Sequence, residues 1–359
     1  MKYQPLASSA EASLSGKEYY SDLKQELKNW KEWVKPYAFP NRGKAIFQIL
    51  NTFLPFIAIF SLMYFTYHHS LLLTLALALV NSLLMVRIFI IQHDCGHQSF
   101  LGSRRDNNTM GFICSLFTFI PFKYWARTHN HHHAHNAQLD SRNIGDITIL
   151  TVREYEALSL WGKWRYRIYR SLPVMFFIGP IYYIFVHNRL PLIKIKGWEK
   201  EKRALMWCNV SLVLFYVFLG VLIGYKKLLI IYLPIIITFA IVAIWVFYIQ
   251  HQHDPNYKEW KPDWDFLTAA IKGSSYYKLS KLGHWFTGNI GYHHIHHLAP
   301  KVPFYHLPKC HHHHPIFDKY VTTLSFWNSF KCAFHKLWDE EAHRMITFRD
   351  YYRDRRGMA

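Results

Sequence analysis

The sequence predicts an all-α integral membrane protein: four transmembrane helices in two hairpins, with a cytoplasmic helical cap holding a histidine-ligated two-metal site. Three observations predict it. About half of the residues are apolar, yet the mean hydropathy is close to zero, so the apolar residues must be gathered into blocks. Four of these blocks reach the ~20 residues needed to cross a bilayer. Just outside the blocks lie three histidine clusters, spaced at i and i+4 or at i, i+3 and i+4, which on a helix puts the imidazoles on one face.

Residues 1–44 form a polar, lysine-rich N-terminal segment. Leu23, Leu27, Trp30, Trp33 and Val34 recur at helical spacing between lysines. This is an amphipathic helix that lies on the membrane or docks on the protein; Pro36 and Pro40 end it. Residues 45–67 and 71–91 are the first two spans. Only His68, His69 and Ser70 separate them, so they form a tight hairpin. Arg87, near the end of the second, is expected to snorkel to the interface or pair with a carboxylate. The apolar run at 110–122 is too short to cross. The run at 172–187 is interrupted by Pro173 and Pro180. Both are expected to be interfacial. Residues 204–225 and 228–249 are the second pair of spans, joined at Lys226 and Lys227. The remainder is polar and aromatic; the main domain is expected to run over 45–350, with a tail at 351–359.

Parity fixes this topology. If the three clusters share one site, they lie on one side, and the second hairpin returns the chain to that side. Neither short apolar run can then cross alone. Most Lys and Arg lie with the N-terminus and the clusters, which predicts a multi-pass cell-membrane protein with both on the cytoplasmic side. The net charge of +19 suits an anionic inner leaflet and an acidic protein partner. No nucleic-acid-binding signature accompanies it, so nucleic acid is excluded as a partner. The five cysteines, Cys95, Cys114, Cys208, Cys310 and Cys332, include no CxxC pair and are read as reduced thiols. The N-terminus has no apolar h-region, which predicts no cleaved signal peptide.

The first cluster supplies His93 and His97, the second His129, His132 and His133, and the third His293, His296 and His297. His251, at the end of the fourth span, can join them. Nine imidazoles can hold two transition-metal ions and leave positions open. The clusters contain no carboxylate pair of the soluble di-iron kind, and no HExxH motif is present. Asp146, Asp94 and Asp254 lie close to clusters in sequence; Asp146 and Asp94 are candidates to orient a ligating histidine. Asn289, four residues before His293, is a candidate for a metal-bound water or a helix cap. His131, His135, His253 and His294 are out of register and expected at the surface or behind the ligands. His311 to His314 are expected in an exposed polar loop.

The motifs HxxxH, HxxHH and HxxHH, separated by hairpin spans in this order, resemble the membrane fatty-acid desaturase family. The stretches Arg87–His97, Gly145–Tyr155 and Thr287–Pro303 are more specifically similar to its bacterial acyl-lipid branch of phospholipid delta-5 type. The resemblance covers roughly residues 45–350. It implies a di-iron enzyme using O2 as co-substrate and two external electrons to place a cis double bond in a lipid acyl chain. It also implies nine histidine ligands, with His251 as the one outside the three motifs. The implied substrate is the acyl chain of a membrane phospholipid, or an acyl-CoA. No fused cytochrome b5 motif is found, so a separate donor of ferredoxin type is implied. The alternatives are a di-iron hydroxylase or ketolase on the same scaffold and, from another class, a metal-binding membrane transporter. Transporters place polar ligands near mid-bilayer, whereas these clusters lie outside the apolar blocks.

Overall fold

The computed structural model describes residues 20–193 and 195–357; the first 19 residues of the N-terminal segment lie outside them. Ten helices matter for the site: α1 (Ser21–Glu26), α2 (Trp30–Val34), α3 (Arg42–Thr66), α4 (Leu71–Gly96), α5 (Arg104–Thr118), α6 (Phe122–Ala134), α7 (Glu199–Ile223), α8 (Tyr225–His251), α9 (His293–Leu298) and α10 (Leu307–His313). Among the described residues, α3, α4, α7 and α8 are the four helices long and apolar enough to cross a membrane.

Their burial ranks them. The most apolar part of α4 is 61% buried, against 17% for α3 and α7. So α4 is the central helix, packed on α3, α5 and α8. The outer helices leave large apolar side chains such as Phe47, Leu54, Trp207, Leu214 and Val221 exposed. Water would penalise that surface, while a bilayer is the solvent it fits. Asn41 caps α3 by accepting from Lys44 N at 2.9 Å, and Ser70 caps α4 by accepting from Leu73 N at 3.2 Å. Only residues 67–70 separate these helices, and Gly224 alone separates α7 from α8.

The chain departs from an all-α fold. Strands β1 (Leu150–Thr151), β2 (Ser275–Lys278), β3 (Thr322–Ser325), β4 (Leu337–Asp339) and β5 (Arg344–Ile346) build two small sheets, β1-β4-β5 and β2-β3. β1 pairs with β4 in parallel, Leu150 opposite Leu337, and β2 with β3 in parallel, Ser275 opposite Thr322. Strands of two to four residues are too short for the period-two pattern to register in a sequence.

Four further expectations are corrected or resolved. The N-terminal segment is two short helices whose apolar side chains, Leu23, Leu27 and Val34, are buried in the protein. Trp33 stacks on His314 and Lys24 pairs with Asp265 at 3.5 Å, so this stretch docks on the protein. Arg87 neither snorkels nor meets a carboxylate: it is buried, donating from Nε to Thr52 Oγ1 at 2.9 Å and also to Gln48 and the Trp285 carbonyl. The second short apolar run is a π-helical turn (Val174–Ile178) followed by the helix Gly179–Phe185. Together with the preceding Leu160–Tyr169 helix it makes a pair bent by 53°. The first run forms α5, which starts earlier than expected and stops at Phe119, where φ is +60°.

Candidate metal centre

The ends of α4 and α8 and the short helices α6 and α9 converge on one point. His93 lies in the last turn of α4 and His97 caps it. His129, His132 and His133 lie on α6, His251 ends α8, and His293, His296 and His297 lie on α9. Two glutamines lock this assembly. Gln92, beside His93, donates to Ile120 O at 2.8 Å and accepts from Thr118 Oγ1 at 2.7 Å, holding the turn that leads into α6. Gln250, beside His251, donates to Ile290 O at 2.8 Å, holding the approach to α9. Gly291, at that approach, passes so near β2 that a Cβ there would sit 2.5 Å from Tyr277 O.

All nine histidines meet. Ligand nitrogens of His93, His97, His129, His133 and His296 lie within 4.8 Å of one another, as do those of His132, His251 and His297. His293 completes the second group, its Nε2 lying 2.9 Å from His251 Nε2 and 3.1 Å from His297 Nε2. In the first group, His133 Nε2 lies 3.0 Å from both His129 Nε2 and His296 Nε2. Across the second, His132 and His251 face each other at 3.2 Å. Nitrogens bound at ~2.1 Å to one ion and at right angles to each other lie ~3.0 Å apart. The observed spacings match that figure. The Nε2 atoms of His93 and His97 are buried without a hydrogen-bond partner among the described residues, which an ion would remedy.

Electrostatics agree. Burial holds the imidazoles of His129, His133, His296 and His297 well below their ordinary range. Burial brings His132 down to about 4, against an opposing pull from Asp146. Neutral imidazole is the ligating form. Both groups are histidine-only, so the site can hold metal ions through nitrogen alone.

The flanking candidates divide. Asp94 reaches His93: its Oδ1 lies 3.0 Å from His93 Nδ1, and its Oδ2 accepts from Phe304 N at 2.6 Å. Asp146 is not hydrogen-bonded to a histidine; it accepts from Ile147 N at 2.7 Å and acts on His132 through its charge. Asn289 is not on the face of α9. It sits at φ +55° before that helix and donates to Phe304 O at 3.1 Å. Asp94 and Asn289 thus clamp the two polar groups of one peptide residue, Phe304. Asp254 points elsewhere, accepting from Met345 N at 3.1 Å. His131 stacks on His135, and His253 Nδ1 donates to Pro255 O at 2.7 Å. His294 is buried against His311, their Nε2 and Nδ1 at 3.1 Å, with Asp318 behind at 3.1 Å from His311 Nε2. His311 to His313 are therefore helical, in α10, with His311 buried. Cys95 is buried and in neither histidine group, and all five cysteines are free. The glutamines escaped the sequence reading, though Gln directly precedes His at the ends of both α4 and α8.

Fold and site together define a protein with four helices apolar enough to cross a membrane and, at their ends, histidine clusters that could hold metal ions. The chain belongs to the fatty acid desaturase family: the model of that family matches residues 66–327. A fatty acid desaturase of Bacillus subtilis is 40% identical over 318 residues, covering 88% of this chain and 89% of that protein. An sn-1 acyl-lipid omega-3 desaturase (ferredoxin) of Synechocystis is 27% identical, covering 64% of each chain. A chloroplastic omega-3 fatty acid desaturase of Brassica napus is 23% identical, covering 61% of this chain and 55% of its own. The protein is accordingly an oxidoreductase, with histidine clusters able to hold metal ions.

Proposed function

We propose that the chain is an O2-dependent acyl-lipid desaturase that places a cis double bond in the acyl chain of a membrane phospholipid. The observation that carries this reading is the meeting of nine buried imidazoles at ion-sharing distances in a chain of this family. His93, His97, His129, His133 and His296 would hold one iron ion, and His132, His251, His293 and His297 the other. The pair of irons would supply O2 activation and the removal of two hydrogens from adjacent methylenes, with two electrons from an external donor. An unactivated methylene offers no acidic proton for a side chain to take, which is why such chemistry needs a metal.

The protein's own part is positioning. Asp94 fixes the His93 ring with Nε2 turned inward, and Gln92 and Gln250 set the α6 and α9 helices against α4 and α8. Burial keeps the imidazoles neutral and excludes bulk water. The four spans form two hairpins, with the bent segment at 160–189 lying in the interface. The centre faces the cytoplasm, a reading supported by the distribution of Lys and Arg. A ferredoxin-type donor is supported by the basic charge and by the name of the Synechocystis relative.

Fatty-acid profiling of a heterologous host expressing the chain tests this, beside His296→Ala and His132→Ala. The expected result is a new unsaturated acyl chain, two mass units lighter than its precursor, that both variants lose. A product heavier by one oxygen would instead assign a hydroxylase.

A further inference from the structure

Beside the metal centre, but outside it, lies a cavity of about 530 Å³ whose rim carries four cations and one acid. Arg104 belongs to the first turn of α5, Lys123 and Arg127 to α6, and Lys200 to the first turn of α7; Glu201 is the acid. The four cationic side chains are exposed, and among the described residues no carboxylate lies within ion-pair distance of any of them. Arg127 also lies over the Trp198 ring, its Cζ 5.7 Å from the centroid. Three elements thus gather four positive charges round one concavity against a single carboxylate, Glu201, leaving an excess of positive charge. Such an arrangement costs self-repulsion and is relieved by a bound anion.

Its place says which anion. Gly96 and Gln98, on either side of His97, line the cavity where α4 ends. Lys200 marks where α7 begins. Both helices are long and apolar enough to cross a membrane, so the cavity sits at the level where apolar core gives way to water. That is the depth of a phospholipid's phosphate. The cavity also adjoins the centre through α6: Asn130, one of its lining residues, directly follows His129 on that helix.

We propose that this cavity binds the phosphodiester of a membrane phospholipid, with Lys123 and Arg127 as its principal contacts. The site rests on the reading of the chain as an acyl-lipid desaturase only for its purpose; phosphate recognition itself does not. Anchoring the head group beside His97 limits how far along the acyl chain the metals reach, so the cavity is a specificity determinant.

The test measures lipid retention on the full chain by native mass spectrometry, which does not require turnover. Wild type, Lys123→Gln/Arg127→Gln and the charge-keeping Lys123→Arg/Arg127→Lys are compared with phosphatidylglycerol, with a diacylglycerol of the same chains and with inorganic phosphate. Wild type should retain phosphatidylglycerol over diacylglycerol by about tenfold, the size expected from two solvent-exposed ion pairs. The Gln variant should lose that preference, and the charge-keeping variant should retain most of it. Equal retention by wild type and the Gln variant overturns the proposal. So does competition by inorganic phosphate at the same concentration as lipid, which would make this a soluble-anion site. So too does an unchanged lipid preference with slower reduction by a ferredoxin-type donor, which would make it a protein-docking face. Product analysis of the same samples reports separately on the desaturase reading.

Discussion

Asp94 shows how much one side chain next to a ligand can carry. One oxygen faces His93 Nδ1 and the other accepts the Phe304 N–H, so the same carboxylate orients a ring and pins the loop that follows α9. Asn289 holds the carbonyl of that same residue. The two variants of Asp94 therefore separate its roles. Asp94→Asn keeps an oxygen for His93 but, in that orientation, turns an amide N–H toward the Phe304 N–H. Asp94→Ala removes both contacts. Partners of metal-bound histidines are typically worth 10–100-fold in affinity. Iron titration of the apo-protein should show a loss in that range for the Ala variant and a smaller one for Asn. Equal affinity in all three would show that His93 needs no help from Asp94.

At the scale of elements, α6 is placed from both sides. Gln92 holds the turn before it, and the Gly145-Asp146 turn packs against its middle. Gly145 has φ +72°, and a Cβ there would lie 2.8 Å from Thr128 O and 3.1 Å from His132 Cβ. Gly145→Ala combines a disfavoured backbone conformation with a collision against backbone, a cost of roughly 1–3 kcal/mol. We expect a lower unfolding temperature and a loss of iron from the group containing His132, read by thermal scanning and metal analysis of the same preparation. Unchanged stability would mean that the loop can move away and that Gly145 does not set α6. The three histidine motifs were legible because i, i+3 and i+4 is a local geometry and α6 and α9 are helical where it occurs. His251 was legible because it ends an apolar run. Asn289 was misplaced because the helical spacing was extended four residues beyond the start of α9, across a left-handed turn. The Phe304 clamp and the His294–His311–Asp318 chain join residues distant in sequence, and no local period reports such contacts.

The whole molecule is arranged around α4. Its apolar length is the most buried of the four, and its end carries the first two histidines of the centre, His93 in the last turn and His97 as the cap. The four spans themselves were plain from hydropathy, since a stretch of that length and composition has few alternatives. The sheets were not, because β1 meets β4 and β2 meets β3 only after the helices have folded the chain back. The N-terminal helices were ambiguous for a related reason: an apolar stripe looks the same whether lipid or protein covers it, and here Trp33, Leu23 and Leu27 find protein. The central claim is that nine histidines form two ion sites and not one. The direct measurement is metal stoichiometry with Mössbauer spectroscopy on the full chain loaded with iron-57, beside His251→Ala. Two irons per chain, falling toward one when His251 is replaced, is the predicted result. A single iron per chain, or a stoichiometry indifferent to His251, would contradict the account.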